Sequence, residues 1–185
     1  MIWKLFITLF VFTFAAKAVY GASNRRFNVI MYGINCNHTD AVIRLDCTLM
    51  KLGTDHYVVS VKVIYKRNMA RNTMVHNLIY IRNQKTSKVL KFVDFKVNIC
   101  DVLSVSAFPI PVVKNIFDEA RRTSNLPYNC PLKANNLYYM NNYTMTSDLI
   151  PPYAPIMNFS FIVNIYENSK LIIASESQGG TIPKA

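Results

Sequence analysis

Glycine is scarce in this chain, five in 185 residues, and none lies in a loop of the kind that cradles phosphate, so a nucleotide site of the P-loop type is excluded. Histidine is scarcer still: His38, His56 and His76 are scattered, and no G-x-S-x-G or H-E-x-x-H pattern surrounds them. A hydrolytic centre needs a nucleophile beside a base, or two carboxylates of different acidity, and neither constellation is present. His56 and His76 read as polar-face strand residues. The four cysteines contain no C-x-x-C pair and have no histidine at ligand spacing, which removes a zinc site. No catalytic residue, metal ligand or cofactor motif is therefore assigned, and an enzyme is not expected.

Acidic residues are also in deficit, 10 against 21 Lys and Arg, which leaves a net charge of +11. That balance suggests nucleic acid, but the N-terminus points elsewhere. Leu5 to Ala16 is the one long apolar run, preceded by Lys4 and followed by the small-residue pattern Ala16-Lys17-Ala18. It is shorter than the roughly 18–20 residues of a membrane span and has the form of a secretory signal peptide over residues 1–18. Its removal takes the only Trp, Trp3, and two lysines, so the mature charge falls from +11 to +9. A secreted, extracellular protein with no nucleic-acid partner is expected.

In that compartment four cysteines read as disulfides. Three pairings are possible. Cys36 and Cys47 lie close enough to staple neighbouring strands, and Cys100 and Cys130 bracket one long connection, so Cys36–Cys47 with Cys100–Cys130 is preferred. Cys130 sits in the stiff stretch LPYNCPLK with no base nearby, which suits an anchor rather than a nucleophile. Sequons at Asn37, Asn142 and Asn158 offer N-glycan acceptors.

Period two dominates the body of the chain. Tyr57, Val59, Val61, Val63 and Tyr65 share one face of HYVVSVKVIYKR; Val93, Phe95, Val97 and Ile99 share one face of VDFKVNIC; Phe159, Phe161, Val163 and Ile165 share one face of NFSFIVNIY. Further strands are expected over 27–34, 41–52, 75–82 and 137–146, with a terminal hairpin over 159–175. One segment breaks the pattern: VVKNIFDEARR places Val112, Val113, Ile116, Phe117 and Ala120 at helical spacing, with Pro111 before it and Arg121 and Arg122 at its end. Strands at close spacing with one short helix inside a disulfide-bracketed connection indicate a mainly β, antiparallel β-sandwich. The domain organisation expected is a signal peptide, a lead-in over 19–26, one sandwich domain over 27–175 and a flexible tail over 176–185.

The string VNICDVL, then a short helix, then PYNCPL resembles the central signature of a large group of secreted insect proteins, long classed as a domain of unknown function, that includes the CheB chemosensory proteins of flies. The Cys36–Cys47 spacing, DHYVVSVKVIYKR and FIVNIYENSKLIIAS resemble its two ends, so the likeness runs over roughly residues 27–175. That group is similar to the ML lipid-recognition superfamily. The resemblance implies an immunoglobulin-like sandwich whose sheets part around a lipid or other apolar ligand, and roles in chemosensation (pheromone or taste) or lipid handling, without catalytic residues.

The expected function is a secreted carrier of a small hydrophobic molecule, a lipid, sterol or hydrocarbon-like compound. Val61, Val63, Phe95, Val97, Phe161 and Val163 are the inward candidates for lining its cavity, with Phe108, Ile116 and Phe117 near its mouth. Inward Val and Phe are more often plain core, and periodicity does not separate the two. The alternative is a basic interaction module: Lys62, Lys66 and Arg67 form one cluster and Lys85, Lys88 and Lys91 another, suited to an anionic membrane surface or a partner such as a membrane receptor. A solvated strand face explains such clusters equally well.

Overall fold

The computed structural model describes residues 25–84, 86, 88–104 and 111–184. The signal peptide, most of the lead-in, Lys85 and Phe108 lie outside them. Eight strands build two antiparallel sheets: β1 (Phe27–His38), β2 (Val42–Gly53), β3 (His56–Tyr65), β4 (Met74–Asn83), β5 (Val89–Asn98), β6 (Leu137–Met145), β7 (Met157–Glu167) and β8 (Lys170–Pro183). Five strands run in the order β1-β8-β7-β4-β5, and three in the order β2-β3-β6. Two helices, α1 (Ile99–Ser104) and α2 (Pro111–Arg122), fill the connection between the sheets' far edges. The protein is an antiparallel β-sandwich, as its period-two segments require.

Local chemistry sets the turns. The β7–β8 hairpin closes through Asn168 and Ser169, both with positive φ (50° and 62°), the backbone of a two-residue turn whose twist matches the flanking strands. Below it Glu167 is buried, accepting from the Ala70 amide (2.9 Å) and from the Arg67 guanidinium. Burial works against the charged carboxyl, but these two donors outweigh it and hold Glu167 below the usual carboxylate range. The open edge of β6 is covered by chain: Ser124 bridges to Met140, and the Asn141 amide donates to the Thr123 carbonyl (2.8 Å). Such cover removes an edge available for pairing with other chains.

Both preferred disulfides are formed. Cys36–Cys47 (Cα–Cα 6.3 Å) joins β1 to β2; these are consecutive strands, but they belong to opposite sheets, so the bond ties the sandwich across rather than along a sheet. Cys100–Cys130 (Cα–Cα 5.4 Å) ties α1 to the segment after α2. The strand expected to run to Cys100 stops at Asn98 instead, and Ile99 begins α1. The Asn98 side chain accepts from the Cys100 amide (2.8 Å), the job of a helix N-cap, which competes with continued strand.

The tail expected to be flexible over 176–185 is structured as far as Lys184. β8 continues to Pro183, paired with β1 from Phe27↔Pro183 onward, and Lys184 N–H donates to the carbonyl of Arg26, in the former lead-in (2.9 Å). Glycine makes the close approach possible. A Cβ at Gly179 would meet the Ile30 carbonyl and the Phe159 ring at 2.7 Å, and one at Gly180 the Asn158 amide oxygen at 2.8 Å. Thr181 is fully buried, donating to the Pro155 carbonyl and accepting from Met157 N–H (both 2.9 Å). The polar, glycine-bearing composition of this stretch disguised a central strand.

The packed core is divided. One cluster gathers Val42, Tyr65, Met69, Ile99, Leu103 and Leu132; a smaller one holds Val29, Met31 and Tyr57. Strand β3 runs from the second (Tyr57) to the first (Tyr65), and Val59, Val61 and Val63 between them face an internal space.

Candidate ligand-binding cavity

That space is a cavity of about 390 Å³ between the sheets, within the 300–1,000 Å³ range of small-molecule sites. Alternation supplies its walls: Val59, Val61 and Val63 from β3, Ile79 and Ile81 from β4, Phe159, Phe161, Val163 and Ile165 from β7. Among the described residues no Asp, Glu, Lys, Arg or His lines it. Tyr65 and Tyr143 also face it, and burial pushes both phenols up, with Tyr138 and Glu167 adding to the first and Glu119 to the second. They are neutral at physiological pH. The walls can therefore hold apolar matter but offer no charge to a reactant.

One long side of the sandwich is shut and the other is covered. Along β1 and β2 the Cys36–Cys47 bond closes the sheets, and both cysteines contribute to the wall. Toward β5 and β6, three lining residues remain substantially exposed: Phe92 (50%), Leu126 (42%) and Tyr139 (36%). These mark the mouth. Phe92 is an unpaired residue in the β4–β5 register, where Ile79 faces Val93 and Tyr80 faces Lys91, and a bulge re-aims a side chain in this way.

Helix α2 lies over this side. Its apolar stripe turns inward, with Ile116, Phe117 and Ala120 lining the cavity and Val113 buried, while Lys114, Asn115, Asp118 and Arg122 face solvent. Glu119 accepts from the Thr144 amide of β6 (3.2 Å), and Arg121 donates to the Leu103 carbonyl of α1. Its hydrogen bonds from Arg122 hold the Glu119 carboxyl below the usual range despite partial burial, and Thr144 adds to the effect. With Cys100–Cys130, these ties hold α1 and the C-terminal end of α2 in place.

Of the residues expected to line the cavity, Val61, Val63, Ile116, Phe117, Phe161 and Val163 do so. Phe95 lines only a small void of about 10 Å³ beneath α2. Val97 packs against the larger core cluster, which includes Ile99 and Leu103 of α1, and does not reach the cavity. Val29, Met31 and Ile34 of β1, and Ile173, Ser175 and Ser177 of β8, complete the wall and were missed. The β8 trio continues an inward period of two through two serines, so an apolar pattern search passes over it. Asn77 was missed as well; it occupies the inward frame of Val75, Ile79 and Ile81.

The other expected sites fall on the surface. Asn37 and Asn142 are exposed. Asn158 is half-buried on central strand β7, and its amide oxygen accepts from Tyr32 Oη (3.1 Å) and Gln84 Nε2 (3.2 Å). The basic clusters are partly neutralised: Arg67 pairs with Glu167, and Lys91 with Asp94 (2.5 Å). Lys62, Lys66 and Lys88 are exposed and carry no ion pair among the described residues.

Fold and site together define a disulfide-linked antiparallel β-sandwich that encloses an apolar cavity under a helical cover. Residues 75–161, from β4 into β7, are similar to the family described as Protein of unknown function (DUF1091). No curated protein matches the chain.

Proposed function

We propose that the protein is a secreted carrier that holds a lipid or another small hydrophobic molecule between its sheets. The observation that carries this reading is the cavity of about 390 Å³ with no charged lining residue among the described residues, since a sandwich has no need to leave such a space unfilled: interiors otherwise pack to crystal density. The two disulfides fit folding in an oxidising compartment, and among the described residues no helix is long and apolar enough to cross a membrane. Asn37 and Asn142 are the acceptors we assign for N-glycans on the secreted form. A role in chemosensation or lipid handling, through a membrane receptor, belongs to the same reading. The alternative, a basic module acting through its surface, is disfavoured by the ion pairs that occupy Arg67 and Lys91.

The test is native mass spectrometry of the protein secreted from insect cells, followed by organic extraction of what co-purifies. A lipid of defined mass, released on denaturation and retained at high salt, is the expected result. An empty protein that refuses a panel of lipids and hydrocarbons, yet binds anionic vesicles in a salt-sensitive way, overturns the carrier reading.

A further inference from the structure

Among the described residues, Asn77 is the one side-chain amide in the cavity wall. It sits at the inward position of β4, opposite Phe95 on β5 and Val163 on β7, with only 4% of its surface exposed. Its Nδ2 is buried and has no hydrogen-bond partner. Three other polar groups of the wall are engaged: Ser175 Oγ donates to the Val163 carbonyl (3.1 Å), Tyr138 Oη accepts from Lys133 N–H (2.6 Å), and Thr146 Oγ1 accepts from Asp148 N–H (3.3 Å). A buried amide donor left unmade is costly, and buried polar groups are paired in nearly all native structures.

Trapped water is a poor partner for it. Asn77 lies where the main cavity meets the void of about 10 Å³ beneath α2, and every other residue around that void is apolar: Ile79, Val93, Phe95, Val113, Ile116, Phe117 and Phe161. A held water needs two to four polar partners, and this one would find a single side chain. The donor therefore points to the ligand. With no charged residue in the wall, an ionised headgroup would be desolvated without a counter-charge, whereas a neutral oxygen needs only the one hydrogen bond.

We infer that the ligand is an apolar molecule carrying one uncharged, hydrogen-bond-accepting oxygen, a ketone, ester or alcohol, and that Asn77 Nδ2 donates to that oxygen and sets the ligand's orientation beneath α2. The inference rests on the carrier reading and narrows it. At about 30 Å³ per water-sized group, a cavity of about 390 Å³ holds about 13 heavy atoms.

Dodecan-2-one and tridecane both have that number of heavy atoms, and only the first carries a carbonyl. Their affinities are measured by displacement of an apolar fluorophore from the full secreted protein and from Asn77→Leu. The difference in their transfer from water is common to both proteins and cancels in the ratio of the two dissociation constants. That ratio is expected to shift about tenfold toward tridecane in Asn77→Leu, the equivalent of about 1.4 kcal/mol. Infrared spectroscopy of the wild-type complex provides a reading that needs no variant: the bound ketone's C=O stretch is expected below its frequency in alkane solution. At neutral pH, dodecanoate is expected to bind wild type more weakly than the ketone. An unchanged ratio, an alkane-like carbonyl frequency or tighter binding of dodecanoate overturns the inference while leaving the carrier reading in place. Failure of wild type to bind any of the three probes removes the carrier reading itself.

Discussion

Replacing Cys100 and Cys130 together by serine should loosen the cavity's cover, whereas replacing Cys36 and Cys47 together should not, although both changes lower stability. The chain-entropy model gives the size of the first effect. A bond closing a separation of 30 residues contributes about 4 kcal/mol, and one closing 11 residues about 3 kcal/mol. For a domain of this size each kcal/mol corresponds to about 2–4 °C in Tm, so losses of roughly 8–16 °C and 6–12 °C are expected by thermal circular dichroism. The two bonds sit at opposite sides of the sandwich, and this separates their effects on release. Cys100–Cys130 holds α1 to the segment beyond α2, and Glu119–Thr144, Arg121–Leu103 and the hydrogen bonds of Thr123 and Asn125 to β6 are further ties of the cover. If a third of its stabilisation is felt in local opening at the mouth, the release rate of a bound fluorophore rises about tenfold. Cys36–Cys47 lies on the closed side, and its loss should leave release at matched stability unchanged. Equal release rates from the two double variants would refute this account of the cover, and unchanged Tm values would refute the stabilising role of the bonds.

Three further outcomes follow from the packing and the charges. Gly179→Ala should cost about 1–3 kcal/mol by overpacking against Ile30, Met31 and Phe159, whereas Gly33→Ala, with nothing within 4 Å of its new methyl, should be near neutral; urea titrations of both check the docking of β8. Val61→Phe should fill part of the cavity, leaving Tm unchanged or raised while displacing ligand, and a parallel fall in both would instead mark Val61 as ordinary close-packed core. Glu167 has a folded-state pKa below its ordinary value of 4.5, so its contribution is complete above that value and is lost as pH falls through the depressed one. The Tm gap between wild type and Glu167→Gln should accordingly be largest at neutral pH and close on acidification; a gap that widens in acid contradicts the assigned direction.

Much of the architecture is legible in the residues because the physics that forms it is local. Alternating Val, Ile, Phe and Tyr can bury one face only as strands, and the stripe of Val113, Ile116, Phe117 and Ala120 can bury only as a helix. The end of the strand at Asn98 escaped because Asn98 caps a helix with its side chain while still matching the strand's alternation. The last half of β8 escaped because Ser175, Ser177 and Gly179 turn inward, where room for Phe159 and Met31 matters more than their own hydrophobicity.

The strand faces, helix α2 and the set of cysteines able to pair are legible along the chain, since each depends on near neighbours or simple spacing. Which inward side chains are core and which are wall depends on how the two sheets and α2 pack together. Val97 and Val163 share the same residue type and the same alternation and pack against the same core cluster, yet only Val163 also lines the cavity. The difference is the distance between two sheets and the placement of one helix across them, and neither is written in the local pattern of either strand.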